Sequence, residues 1–167
     1  MDCSPDRLTA LQRAMLAAFF AREQRFVLTG GAALGGFWLH HRVSHDLDLF
    51  AREPLDLDLA LRTLRAAAAE VGASCTDQVS YPEFRRVLVT RGDESTLVDL
   101  VVDRVPPVDA IPARFGPVLV DTRREIAANK LGALVGRAEV RDLIDLKALL
   151  ESGITLESAL VDAARKD

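Results

Sequence analysis

An α+β fold, a sheet layer followed by a small helical lobe, is what three features of this sequence predict. Short apolar runs of strand length, bounded by turn-forming residues, recur through the first hundred residues. Two stretches with apolar residues at helical spacing lie among them. Beyond residues 106–117, which hold four of the seven prolines, the pattern becomes helical to the end. The chain is therefore read as a core at 1–105, a Pro-rich connector at 106–117 and a helical lobe at 118–167.

Each element has its own signal. Residues 8–22 carry Leu8, Leu11, Met15, Ala18 and Phe19 at helical spacing. Phe26-Val27-Leu28 is a short buried strand stopped by Thr29-Gly30-Gly31, and a helix over 32–41 opens from those glycines. Asp46 to Phe50 alternates acid and apolar residues and reads as a second strand. An Ala- and Leu-rich run at 58–71 makes a helix closed by Gly72. Strands follow at 74–80, 84–90 and 96–102, the last two joined by Arg91-Gly92-Asp93-Glu94, a good hairpin turn by composition. After a short strand at 118–120, Thr122-Arg-Arg-Glu125 has capping-box spacing and starts a helix. Further helices are predicted at 140–152, closed by Gly153, and at 156–165.

Composition narrows the function classes. The chain has 167 residues, 49% of them hydrophobic and only 5% aromatic, enough for one aliphatic core. No apolar run reaches the ~18 residues a membrane span needs, so no membrane partner is expected. Cys3 and Cys75 show no metal or redox spacing and read as free thiols in a reducing cytoplasm. The net charge of −4 argues against a general nucleic-acid coat protein, and no DNA partner is expected. It leaves room for a local basic groove.

The chemistry concentrates in residues 26–50. Gly30 and Gly31 let the backbone bend and approach another group closely, and the first N–H groups of the following helix suit a phosphate. That signal is weak alone. Asp46-Leu47-Asp48 strengthens it, because strand periodicity puts both carboxylates on one face. Adjacent like charges repel, and Mg²⁺, which favours carboxylates plus substrate phosphates, removes the objection. A solvated strand edge is the alternative. Asp99 interrupts the apolar run Leu97 to Val101 and either completes a two-metal site or points outward with Asp103. Asp56-Leu57-Asp58 repeats the acid pattern but precedes a helix, so Asp56 reads as its N-cap and Asp58 as a first-turn acid.

Lys130 has Ile126, Ala127, Ala133 and Leu134 as its helical neighbours and so lies on a buried face. Its ammonium either snorkels to water or meets a triphosphate oxygen. Asp142 and Asp145 share one helix face; Arg141 and Asp145 form a surface ion pair, or an acid there serves as general base. His40, His41 and His45 lie near the acids without a full zinc ligand set.

Gly30-Gly31, then Arg42-x-Ser44-x-Asp46-x-Asp48, then Lys130 and Arg141-Asp142-x-x-Asp145-Leu146 resemble the motifs of the AbiEii-type nucleotidyltransferase toxin family. That family belongs to the polymerase-β-like nucleotidyltransferase superfamily, and the resemblance spans residues 26–150. It implies a small mixed sheet flanked by helices, with the Asp-x-Asp strand holding Mg²⁺ and the Gly-Gly turn holding the triphosphate. It further implies nucleotide-binding positions at Arg42 and Ser44, phosphate contact by Lys130, and catalytic help from Asp142 or Asp145, with Asp142 preferred. Members are typically encoded beside an antitoxin, and some modify the acceptor end of tRNA. The resulting expectation is a cytoplasmic, Mg²⁺-dependent transfer of a nucleoside monophosphate from an NTP to an acceptor hydroxyl. An antitoxin and tRNA are the implied partners. The rivals are a small-molecule acceptor, as in antibiotic-modifying enzymes, and a non-catalytic module that binds nucleotide or a partner protein.

Overall fold

The computed structural model describes residues 7–166. The expectation for Cys3 lies outside them. The described residues build a seven-stranded sheet in the order β3-β4-β5-β2-β1-β7-β6. The strands are β1 (Phe26–Thr29), β2 (Asp46–Ala51), β3 (Ser74–Tyr81), β4 (Phe84–Arg91), β5 (Glu94–Val102), β6 (Ala113–Phe115) and β7 (Val118–Val120). The sheet is mixed: β2 runs parallel to β5 and β1 parallel to β7, while the other neighbours are antiparallel. The α+β architecture with a small mixed sheet and flanking helices is thus the observed one.

Period-two alternation gives the sheet two unlike faces. Leu47, Leu49 and Ala51 of β2 share one face with Val98, Leu100 and Val102 of β5, their register partners, and all are buried. Helices α1 (Ala10–Phe20) and α3 (Leu57–Glu70) cover this face with Leu11, Met15, Phe19, Leu57 and Leu64. The opposite face carries Asp46, Asp48 and Phe50 of β2, only partly covered. The long helix α4 (Arg123–Gly136) lies over part of that face, with α5 (Val140–Glu151) and α6 (Leu156–Ala164) packed against it. A hydrophobic interior on one side and an open, charged surface on the other follow from the alternation in β2 alone.

Local signals placed most boundaries. Thr9 and Gln12 form a reciprocal capping box at the start of α1. Asp56 caps α3 by accepting from the Asp58 amide at 2.8 Å. Gly153 has φ +104 after α5, a conformation that favours glycine. Three details differ from the sequence reading. The helix after Thr29 begins at Gly30 (α2, Gly30–Ala33) and widens into a π-helical turn, Leu34–Trp38, instead of continuing to residue 41. Thr122 caps α4, accepting from the Glu125 amide at 3.1 Å, but Glu125 does not return the bond. Its carboxylate accepts from the Val108 and Asp109 amides and so pins the Pro-rich connector to α4. Finally, β6 forms inside the connector and turns through Gly116-Pro117 into β7; its Phe115 ring packs on Phe37 and Trp38. Three residues among prolines carry too little pattern to announce a strand. None of the described helices is long and apolar enough to cross a membrane.

The π-helical turn matters because it brings two backbones together. A Cβ on Gly35 would overlap the main-chain oxygen of Arg42, which cannot swing aside. Gly132, inside α4, has open space instead: nothing lies within 4 Å of the position a Cβ would take. Gly35→Ala is therefore expected to destabilise by about 2 kcal/mol or more through forced backbone movement. Gly132→Ala is expected to stabilise by about 0.5–1 kcal/mol through helix propensity. Urea midpoints of the two variants check this; equal responses would remove the packing role given to Gly35.

Candidate active site

A single row of residues crosses the open face of the sheet. Register pairs Thr29 with Asp48, Asp48 with Asp99, and Asp99 with Arg86, so β1, β2, β5 and β4 each contribute one side chain at the same level. Paired residues in a sheet point to the same side, which places Asp99 inward beside Asp48. Asp99 is 5% exposed, and both its oxygens accept from Arg86, from Nε at 2.8 Å and from Nη2 at 2.7 Å. Asp46, two residues before Asp48 on the same face, has Arg141 Nη1 at 3.7 Å from its Oδ2. Burial pushes the Asp48 carboxyl up to about 6, helped by the charges of Asp99 and Asp46 and opposed by Lys130 and Arg141.

Helices α4 and α5 form the opposing wall. Lys130 is buried, and its Nζ lies 2.7 Å from Asp142 Oδ1 and 2.7 Å from Asp145 Oδ2. Asp145 is fully buried and saturated: Oδ1 accepts from His41 Nε2 and Arg42 Nε, and Oδ2 from Arg42 Nη2 and Lys130. Burial alone would raise its pKa, but the bonds from His41, Arg42 and Lys130 hold the carboxyl well below the usual range. Asp142 differs. Its Oδ2 is buried without a hydrogen-bond partner, with Arg137 Nε at 3.4 Å, beyond a good hydrogen bond in length.

Between the walls runs a cleft of about 410 Å³. Phe50, Phe84, Val101 and Ile126 line its apolar side, and a smaller polar recess of about 100 Å³ adjoins it at Asp48, Asp99 and Lys130, lined by Gly31, Arg42, Ser44 and Asp46. Both glycines of the turn are required sterically. Gly30 has φ +71, and a Cβ there would overlap the Asp48 carboxylate; a Cβ on Gly31 would meet Arg42 Nη2 and Ser44 Oγ. Ser44 is held by its own main chain, whose carbonyl accepts from the buried Gln12 side chain at 2.9 Å.

The sequence-derived candidates thus converge on one cleft: Gly30, Gly31, Arg42, Ser44, Asp46, Asp48, Asp99, Lys130 and Asp142 line it. Asp145 lies behind it as a structural partner of His41, Arg42 and Lys130. Arg141 does not pair with Asp145, the surface ion pair considered above; it bonds Glu139 at 2.5 Å and reaches toward Asp46, because Asp145 points inward. Lys130 meets carboxylates of its own chain, neither snorkelling freely nor standing unpaired. Arg86 was missed, although the hairpin turn at 91–94 predicts it: pairing Arg91 with Glu94 places residue 86 opposite residue 99. No group of three or more His, Cys, Asp or Glu poised to hold a metal occurs among the described residues. Asp99 faces Arg86, and His41 is committed to Asp145.

Comparison with known proteins bears on this cleft. The family model described as "Nucleotidyl transferase AbiEii toxin, Type IV TA system" matches residues 13–167. Two Helicobacter pylori crystal structures are similar. A protein assigned as a nucleotidyltransferase has a TM-score of 0.66 and 24% identity, over 93% of this chain and 71% of that one. JHP933 has a TM-score of 0.65 and 23% identity, over 93% of this chain and 69% of that one. The Megavirus polyadenylate synthase is more distant, with a TM-score of 0.56 and 12% identity over 84% of this chain and 31% of that one. At these identities the likeness is one of fold. No curated protein sequence matches significantly.

The raised Asp48 pKa has a definite sign. Its ordinary value is 3.8 and its folded value about 6, so the folded protein binds more protons between those values and loses stability as pH rises through them. Asp48→Asn removes that penalty. In EDTA it should raise the melting temperature at pH 8, by the equivalent of about 1–2 kcal/mol, and by less at pH 5. A variant less stable than wild type at pH 8 would contradict the crowding of charge described here.

Proposed function

The chain belongs to the AbiEii nucleotidyltransferase toxin family and is a nucleotidyltransferase of a toxin-antitoxin system; on that premise we propose that it transfers a nucleoside monophosphate from an NTP to an acceptor hydroxyl, releasing pyrophosphate. The observation that carries the reading is the Asp46/Asp48 pair, half-buried on one strand face at the floor of the cleft and its polar recess, with Lys130 and Asp142 on the far wall. Two carboxylates plus substrate phosphates are a ligand set that suits Mg²⁺. Asp99 can join them only if Arg86 releases it. Mg²⁺ held by Asp46 and Asp48 would neutralise phosphate charge.

The chain's own residues do the rest. Gly30 and Gly31 keep the turn open so that the triphosphate can approach backbone N–H groups. Ser44 and Arg42 border that turn, Arg42 with its guanidinium already committed to Asp145. Lys130 presents its ammonium to the phosphates while bound to Asp142 and Asp145. The unpartnered Oδ2 of Asp142 takes the proton from the acceptor hydroxyl as general base. Asp145, with all its bonding capacity used, holds the wall in place. Helices α4 to α6, which follow the last strand of the sheet, form the lobe that completes the site over the core.

Half-exposed Arg137 and Arg141 stand at the cleft mouth of a protein with net charge −4. Both are paired with carboxylates, to Glu139 and toward Asp142 and Asp46, and their exposed guanidinium groups can turn to a polyanionic acceptor such as the acceptor end of tRNA. The acidic pI of about 5.4 favours a small-molecule acceptor as the second reading. An antitoxin is the expected protein partner, and the cytoplasm, where NTPs and RNA meet, the expected compartment.

Incubation with each α-labelled NTP and Mg²⁺, in the presence of total RNA or of small-molecule extract, tests the reading. Label should move to RNA, and Asp46→Asn and Asp48→Asn should lower transfer at least ~10²-fold by removing metal-borne charge stabilisation. Full activity in either variant would sink the assignment of those acids. Asp142→Asn should lower transfer ~10²–10⁴-fold while NTP affinity stays unchanged. A loss of affinity instead would make Asp142 a binding group.

A further inference from the structure

Arg86 is the strongest polar contact of the cleft that the reaction as described does not use. Its fork engages both oxygens of Asp99 at 2.8 and 2.7 Å. The two partners are unequal: Asp99 is 7% exposed in its side chain and Arg86 38%. The carboxylate is therefore fixed in the sheet, whereas the guanidinium sits at the end of a long side chain with solvent beside it. Arg86 also lines both the cleft and its polar recess, next to Asp46 and Asp48. A short acidic side chain cannot leave its partner here, but Arg86 can.

We propose that Arg86 is a positioning residue with two partners, holding Asp99 in the nucleotide-free protein and moving to the triphosphate when an NTP enters, so that the fixed Asp99 carboxylate is released for the metal. This rests on the nucleotidyltransferase reading and adds to it an order of events. A guanidinium fork fits phosphate as well as carboxylate, and a triphosphate offers more negative charge than one aspartate. A buried carboxylate without a counter-ion is costly. The exchange avoids that cost only if metal and nucleotide arrive together. Nucleotide alone would strip Asp99 of its cation, and metal alone would confront Arg86 with a second cation in the same row. The pair therefore couples the two ligands, each raising the affinity for the other. No atom is transferred in this step; one ion pair is exchanged for two.

The test uses inorganic tripolyphosphate, which has no base, in EDTA, which removes metal. Asp99→Asn frees Arg86 and should tighten tripolyphosphate binding about fivefold to tenfold over wild type. The double variant Asp99→Asn/Arg86→Gln, whose two neutral amides leave no charge unpaired, should lose that gain. In the complementary arm, Arg86→Gln should bind Mn²⁺ alone more tightly than wild type, read by the free-Mn²⁺ electron paramagnetic resonance signal. Melting curves confirm folding of each variant, and the double variant carries the test if Arg86→Gln does not fold. Unchanged tripolyphosphate affinity in Asp99→Asn would overturn the proposal and leave Arg86 a brace between β4 and β5. If wild type with Mg²⁺ transfers label while that arm fails, only this inference falls. If wild type binds no NTP with Mg²⁺, the nucleotidyltransferase reading of the cleft falls with it.

Discussion

Two carboxylates side by side in adjacent parallel strands, Asp48 on β2 and Asp99 on β5, create the charge problem around which the rest of this structure is arranged. They cannot move apart, because their register is set by the apolar residues on either side, Leu47 and Leu49 against Val98 and Leu100. Slipping the strands by one residue would bury the acids and expose the leucines. The hydrophobic effect on one face therefore enforces electrostatic repulsion on the other. Cations answer it from three directions: Arg86 from β4, Lys130 from α4 and Arg141 from α5. Each carries a donor that a phosphate could take over, so the counter-ions of the acids are also the groups suited to a nucleotide.

A second charge cluster does a different job. Asp145 accepts from His41, Arg42 and Lys130 and is closed to solvent. Such an arrangement is stable only when every charge is matched, and removal of one partner leaves another uncompensated. It ties the segment after the π-helical turn to α4 and α5, and in doing so sets the distance between the sheet floor and the helical wall. Asp142, one turn away on the same helix, keeps one oxygen without a hydrogen bond, with Arg137 Nε 3.4 Å from it. Two acids three residues apart thus take opposite parts, one saturated and one available, through their surroundings alone.

Much of this is legible in the sequence. Strand alternation at Asp46 to Phe50 locates the floor of the site, and the Gly-Gly turn locates its rim. The capping residues Asp56 and Thr122 mark two helix starts and remove the second acid pair from consideration. The helical neighbours of Lys130 show it buried and in need of an anion, but the anions are Asp142 and Asp145. The connector strand β6 escapes notice because three residues hold no period. Arg86 escapes notice for a different reason: the hairpin register that aligns it with Asp99 is implied by the turn but is invisible when residues are weighed one at a time.

The sequence by itself determined the order of the longer elements, the two faces of the Asp46 to Phe50 strand and the residue types available for phosphate and metal chemistry. These depend on periodicity and on local hydrogen bonding, which act over a few residues. Only the tertiary structure decided how charges pair: that Asp99 belongs to Arg86, that Asp145 is spent on His41, Arg42 and Lys130, that Arg141 turns toward Asp46. Ion pairing depends on distances of a few ångströms between residues far apart in the chain, and packing of the sheet against α4 and α5 sets those distances.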